Sequence, residues 1–86
     1  MIKILFISIL VTTNVYPSQG WIQWSSRSYQ DRELCMKSIS NSYDQIAMSV
    51  RYLLGDKLVQ IMEMRCMTRQ EAIFLNYKLG HKQIGE

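Results

Sequence analysis

The sequence lacks most of the residues on which catalysis and transport depend. It has one histidine, two cysteines that are not arranged as Cys-x-x-Cys, and no run of about 20 apolar residues that could span a bilayer. Its 86 residues allow one domain at most. Most catalytic and transport schemes are therefore disfavoured, and the chain is expected to be a small, non-enzymatic module without a cofactor.

A cluster of basic side chains is also missing. Ten Lys and Arg residues stand against seven Asp and Glu residues, which gives a formal net charge of +3, and the basic residues are spread singly along the chain. A protein that binds nucleic acid through its phosphates needs Lys and Arg gathered on one surface. The sequence therefore predicts no nucleic-acid partner.

The first twenty residues differ from the rest. Lys3 and the chain amine give a short positive start, residues 4–11 (ILFISILV) form an apolar run, and Pro17 ends the segment. This order is typical of a secretory signal peptide, whose apolar core is expected to be helical. The alternative is a retained membrane anchor, although polar residues follow too early for a spanning helix.

Small residues precede the predicted cleavage site. Ser18 and Gly20 fit the small-x-small pattern, which places the cut between Gly20 and Trp21. Residues 1–20 are thus predicted to be a signal peptide and residues 21–86 a single exported domain. We expect that domain in the periplasm or outside the cell, with a membrane contact only if the segment stays attached.

The two cysteines, Cys35 and Cys66, are predicted to form a disulfide. A domain of about 60 residues buries only about 60% of the surface that its unfolded chain exposes, so its core is marginal. An exported chain enters a compartment where thiols oxidise. A cross-link between these cysteines would supply the missing stability.

Alternating strand and helix signals follow the predicted cleavage site. Residues 21–28 are aromatic and β-branched at their start, which favours a strand, and Ser28 with Asp31 approximates a capping box. A long helix should follow and end at Gly55. Its predicted buried stripe contains Cys35, Met36, Ile39, Tyr43, Ile46, Ala47, Val50, Leu53 and Leu54.

A second strand and a second helix complete the pattern. Residues 57–67 (KLVQIMEMRCM) favour a strand, and Thr68 with Glu71 forms a full capping box for a short helix that stops at Gly80. The predicted fold class is α+β, a β-α-β-α domain preceded by a signal-peptide helix. Because the disulfide would join the C-terminal ends of both strands, we expect a two-stranded parallel sheet.

These features together resemble a group of known sequences. An aromatic strand from Trp21 to Trp24, Cys35 in the first turn of a helix, and the segment Cys66-Met67-Thr68-Arg69-Gln70-Glu71-Ala72 are similar to short, exported, single-disulfide proteins of bacteria and their phages. The resemblance would cover the whole of residues 21–86. Those proteins have no assigned function, so the resemblance implies no activity for this chain.

One surface of the second helix is a candidate for a partner. Ile73, Phe74 and Tyr77 lie away from the apolar residues that can dock on the sheet. Either the long helix covers them or they form an exposed patch, and three large apolar neighbours suggest a binding site. The hypothesis is contact with a protein partner or with a second copy of the chain.

Two further clusters have a chemical interpretation. Trp21 and Tyr29 could provide an aromatic contact for a sugar or peptide, although aromatic residues in a small domain more often fill the core. Strand alternation would place Met62, Met64 and Cys66 on one face, where sulfur ligands suit a soft metal such as Cu(I). A buried methionine face is the simpler interpretation, so we predict no metal.

The function that these observations favour is that of a small exported protein-interaction module. Catalysis is not expected, because His81 follows a helix-ending glycine and has no acid on the same element to orient it. Two alternatives remain. One is a membrane-anchored accessory protein that keeps its N-terminal segment, and the other is a binder of a soft metal or small ligand.

Overall fold

The computed structural model describes residues 4–15 and 18–79 and has the predicted α+β class. In chain order the elements are β1 (Leu5–Thr13), β2 (Gln19–Tyr29), α1 (Arg32–Leu54), a short 3₁₀ turn (Gly55–Lys57), β3 (Leu58–Met67) and α2 (Arg69–Lys78). Strands and helices after residue 20 lie close to their predicted positions. The sheet itself differs from the prediction.

The segment predicted to be a signal-peptide helix is the central strand of the sheet. Leu5–Thr13 pairs antiparallel with β2 on one side and with β3 on the other. The expectation of a helix here is wrong, and the sequence gives the physical reason. A strand with neighbours on both sides and both faces covered has no need for polar alternation, so its sequence is nearly continuously apolar.

The predicted two-stranded parallel sheet is also wrong. The described residues form three strands in the order β2-β1-β3, and both pairings are antiparallel. β2 and β3 therefore run in the same direction, as predicted from the position of the disulfide, but they are not neighbours in the sheet. The strand that lies between them is β1, which belongs to the segment that resembles a leader.

One face of β1 forms the core of the domain. Ile7 and Ile9 are fully buried, and Val11 is nearly so. They pack with Ile46 and Val50 of α1 and with the disulfide. Because side chains alternate along a strand, the intervening residues of β1 point to the opposite face, which α2 covers.

Two bulges in β3 change which of its side chains face the core. Leu10 of β1 pairs with Glu63 and the next residue, Val11, pairs with Ile61, so Met62 has no partner across the ladder. A bulge of this kind reverses the alternation that follows it. Ile61 therefore takes the core position opposite Val11, Met62 is half exposed and Met64 alone of the two methionines packs against the core, so the prediction of one buried methionine face is wrong.

Helix α1 begins and ends at recognisable signals. Asp31 rather than Ser28 is the N-cap, and its side chain accepts a hydrogen bond of 2.8 Å from the Glu33 N–H. Gly55 ends the helix with a φ of 56°, a conformation that glycine adopts without steric penalty. The predicted glycine stop is confirmed.

The predicted apolar stripe of α1 is buried only in part. Its buried members are Cys35, Ile46, Ala47 and Val50. Met36, Tyr43 and Leu53 belong to the same stripe but are exposed, Leu53 to 70% of its surface. The helix is kinked at Ser42, whose backbone angles are not helical, so Met36 before the kink does not share a regular stripe with the residues after it. Tyr43 and Leu53 follow the kink and are exposed beside buried Ile46 and Val50.

The predicted disulfide between Cys35 and Cys66 is present, with its two Cα atoms 6.2 Å apart. It joins the first turn of α1 to the end of β3. The Arg32 guanidinium adds a hydrogen bond of 3.1 Å to the Cys66 carbonyl oxygen. The start of the helix is therefore fixed to β3 by a covalent bond and by a polar contact.

Helix α2 starts at the predicted capping box, in which Thr68 and Glu71 each bond to the other's backbone. The helix crosses the second face of the sheet and reaches β2. There the Asn76 side chain accepts a 2.7 Å hydrogen bond from the Trp21 N–H and donates a 3.1 Å bond to the Trp21 carbonyl. One amide thus takes the place of a neighbouring strand at the outer edge of β2.

Removing the disulfide should destabilise the domain strongly. Replacing both Cys35 and Cys66 by Ala is expected to lower the free energy of unfolding by roughly 3 to 4 kcal/mol, because the bond closes a loop of this length in the unfolded chain. Denaturant unfolding of the two proteins measures the difference. Adding a reductant should shift the wild type alone, and equal unfolding midpoints for wild type and double variant would refute the expectation.

The two methionines of β3 should respond differently to truncation. Met64→Ala removes contacts with the core and is expected to cost about 1 to 2 kcal/mol, whereas Met62→Ala at the half-exposed bulge should stay within about 0.5 kcal/mol of wild type. Thermal unfolding of both variants compares them directly. A larger loss for Met62→Ala would show that the bulge lies elsewhere.

Candidate functional site

A groove between α1 and β2 is the most prominent candidate site. Helix α1 packs mainly against β3, where the disulfide holds its first turn, and leaves part of β2 uncovered. The resulting space measures about 510 Å³. Its lining consists of Ile9, Ile22, Gln23, Trp24, Gln45, Met48, Ser49, Val50, Tyr52 and Leu53.

The chemistry of this groove is apolar and neutral. Its floor is formed by Ile9 and Val50 of the core, and Ile22 and Trp24 of β2 form one wall, where both are half buried. None of the described residues that line the groove carries a charge; the polar ones are amides and a hydroxyl. Such a lining favours an apolar, uncharged ligand over an anion or a cation.

The helix wall of the groove carries large apolar side chains that are exposed to solvent. Met48 and Leu53 are exposed by about two thirds, and Tyr52 has 93% of its surface accessible. Met48 and Tyr52 are four residues apart and therefore neighbours on one helical turn. Apolar side chains that meet in one patch beside a groove mark an interaction surface more often than scattered ones do.

The patch predicted on α2 is also exposed. Ile73, Phe74 and Tyr77 each have more than half of their surface accessible, because α1 packs on the other face of the sheet and cannot cover them. The Lys78 ammonium lies 5.3 Å from the centre of the Phe74 ring. These residues meet the structural condition for a binding patch, and their contact with a partner stays a prediction.

The two residues predicted as an aromatic contact lie apart. Trp21 pairs with Leu10 near one end of the sheet, and Tyr29 pairs with Leu5 at the other. The Trp21 ring lies under the Arg65 guanidinium at 5.3 Å, whereas the Tyr29 ring packs against the core. Trp21 and Tyr29 therefore do not form one stacking platform.

The three sulfur residues considered as a soft-metal site are not assembled on one face. The Cys66 sulfur is bonded to Cys35, Met64 packs against the core, and Met62 lies on the bulge. Among the described residues no three His, Cys, Asp or Glu side chains are grouped as metal ligands would be. His81 lies outside the described residues.

The face of the sheet that α2 packs against carries an ion pair on β3. Arg65 and Glu63 bond at 2.7 Å, and both side chains are about half exposed. A pair this exposed contributes little to stability. The neighbouring Ser8 hydroxyl is fully buried and accepts a hydrogen bond of 3.4 Å from the Gln23 amide.

Comparison with protein-family models, with curated proteins and with solved structures finds no match for this chain. The resemblance to short, exported, single-disulfide proteins therefore stays a prediction. No helix within residues 4–15 and 18–79 is both long enough and apolar enough to cross a bilayer.

The groove was missed at the level of sequence because it depends on the central strand. The sequence pattern places Ile9 of the floor in a segment that resembles a leader, and it places Leu53 of the wall on the predicted buried stripe. The one local signal was the large number of apolar positions on α1, more than a two-layer domain of this size can cover with a single helix face.

A neutral apolar dye should bind in the groove. Nile red is expected to bind the oxidised protein with enhanced fluorescence, and Leu53→Glu should weaken binding by about tenfold or more, because it removes an apolar contact and adds a charge. Val59→Glu is the matched control, since Val59 is similarly exposed but lies on β3 away from the groove. Equal weakening by both substitutions would contradict a groove site.

Proposed function

We propose that the protein is a small, non-enzymatic, exported interaction module of the periplasm or extracellular space. Its binding surface is the groove between α1 and β2, and its ligand is an uncharged, apolar segment of a partner protein. The single observation that carries this proposal is the exposure of Met48, Tyr52 and Leu53 beside an apolar groove.

Export is supported by the disulfide. Bonds of this kind persist in oxidising compartments and are rare where glutathione keeps thiols reduced. The bond between Cys35 and Cys66 is compatible with an exported protein, and both cysteines are buried. An exported protein meets many other proteins and membranes. An apolar patch such as the one beside the groove would bind them unspecifically unless a specific partner covers it.

A protein partner explains the patch better than a small ligand does. A small apolar molecule that fills the groove would still leave most of the Tyr52 side chain, 93% of which is accessible, in contact with water. A protein segment can occupy the groove and contact the helix wall at the same time. Tyrosine is enriched among residues that dominate binding energy, and methionine adapts to different partner shapes.

A second copy of the chain is the other candidate for a partner, and a different surface favours it. Ile73, Phe74 and Tyr77 lie on the opposite layer of the domain from the groove. A symmetric dimer through α2 would leave the groove open. Replacing Phe74 and Tyr77 by Ser should then abolish self-association in sedimentation velocity without changing the thermal midpoint, whereas a large loss of stability would assign these residues to the core.

Site-specific photo-crosslinking in the producing cell tests the groove. A benzophenone amino acid in place of Tyr52 is expected to give one discrete protein adduct, and adding Met48→Ser should reduce that adduct. The same amino acid at Gln70 of α2, which is exposed and distant from the groove, is the control. A third variant carries the benzophenone amino acid at Phe74. An adduct at Phe74 but not at Tyr52 would show that the partner binds α2 instead of the groove. Equal crosslinking at Tyr52, Gln70 and Phe74 would refute the proposal.

A further inference from the structure

The residues that resemble an export leader are the same residues that form the central strand. A leader that is removed cannot also hold the sheet together. We propose that Leu5–Thr13 is retained in the folded protein and that the bond between Gly20 and Trp21 stays intact. This inference does not depend on the partner that fills the groove.

Burial is the first support. Ile7, Ser8 and Ile9 have no accessible surface, and Leu5 and Val11 have almost none. In the described residues neither β2 nor β3 pairs with any strand except β1. Without this segment, the backbone N–H and C=O groups along the inner edges of β2 and β3 would lose their hydrogen-bond partners. The two strands would also be two strand spacings apart, too far to pair with each other, and unpaired backbone groups are costly to bury.

The predicted cleavage bond is itself part of the sheet. Gly20 is buried in β2, opposite Val11, and the backbone of Trp21 is held by the Asn76 amide through two hydrogen bonds. A protease needs an accessible, extended segment that can enter its active site. In the folded protein this bond is protected, so cleavage would have to precede folding and would remove the central strand.

Specific side-chain contacts between β1 and the strands on both of its sides are the third support. Ile7 lies beside Trp24 on one side and beside Cys66 on the other, so the strand reaches the disulfide. On the opposite face the small Ser8 side chain accepts a bond from Gln23. An export leader needs only overall hydrophobicity, whereas these contacts require particular residues at particular positions.

Cutting the full-length chain between β1 and β2 tests retention. A protease recognition sequence inserted after Val15 allows the refolded, oxidised protein to be cut at that point. We expect the N-terminal fragment to stay bound through gel filtration under native conditions and to separate in guanidinium. If the fragment separates without denaturant and the remainder unfolds at the original midpoint, the strand is dispensable and the proposal fails.

Two charge substitutions distinguish a strand from a leader. Ile9→Asp and Ile4→Asp each place the same charge in the apolar segment, but Ile9 is buried whereas Ile4 is 48% exposed. After refolding in vitro, where export has no part, Ile9→Asp should lose cooperative unfolding and Ile4→Asp should keep it. Cooperative unfolding of both variants at the wild-type midpoint would overturn the proposal.

The mass of the natural product provides an independent check. Oxidised, folded protein recovered from the producing cell is expected to contain residues 5–13. A folded, oxidised product that starts at Trp21 would overturn retention even if the groove binds its partner. Failure of the groove experiment, in turn, would leave the mass result unchanged, so the two proposals can fail separately.

Discussion

Pairing of β1 with strands on both of its sides is the constraint on which the rest of the domain depends. It sets Ile7 and Ile9 beneath α1, and it places Cys66 where a sulfur from the first helical turn can reach it. The disulfide then draws α1 towards β3, and the helix cannot cover β2 to the same extent. An open groove is thus a consequence of where the cross-link lies, since one helix cannot pack fully over three twisted strands.

Local features of the fold could be predicted from the sequence because their causes are local. Gly55, which has a positive φ, ends α1. The capping box of Thr68 and Glu71, which are only three residues apart, sets the start of α2. The sheet could not be predicted, since an eight-residue apolar run satisfies both a leader and a strand covered on both faces. Nothing in the residues around Met62 marks a bulge, which is fixed only when β3 is aligned against β1.

The candidate sites also divide into those with local causes and those that depend on contacts between distant residues. Helical periodicity places Phe74 and Tyr77 away from the docked residues of α2, but their exposure also depends on α1 packing on the opposite face of the sheet. The groove is lined by residues of β1, β2 and α1, which come together only when the sheet forms and the disulfide fixes the start of α1. Sites made by long-range packing therefore have no compact motif, whereas a patch on one amphipathic helix does.

The order of the strands along the chain has a consequence for folding during synthesis. Phe6 of β1 pairs with Met67 of β3, so β1 is synthesised well before the strand that fills its second edge. Contacts between residues so far apart along the chain form slowly, because a long loop must close first. Until β3 arrives, the apolar segment has only the hairpin with β2 available to it. The three-stranded sheet of the described residues is therefore complete only after β3 has been synthesised, and until then the Cys66 sulfur is not in place to meet Cys35.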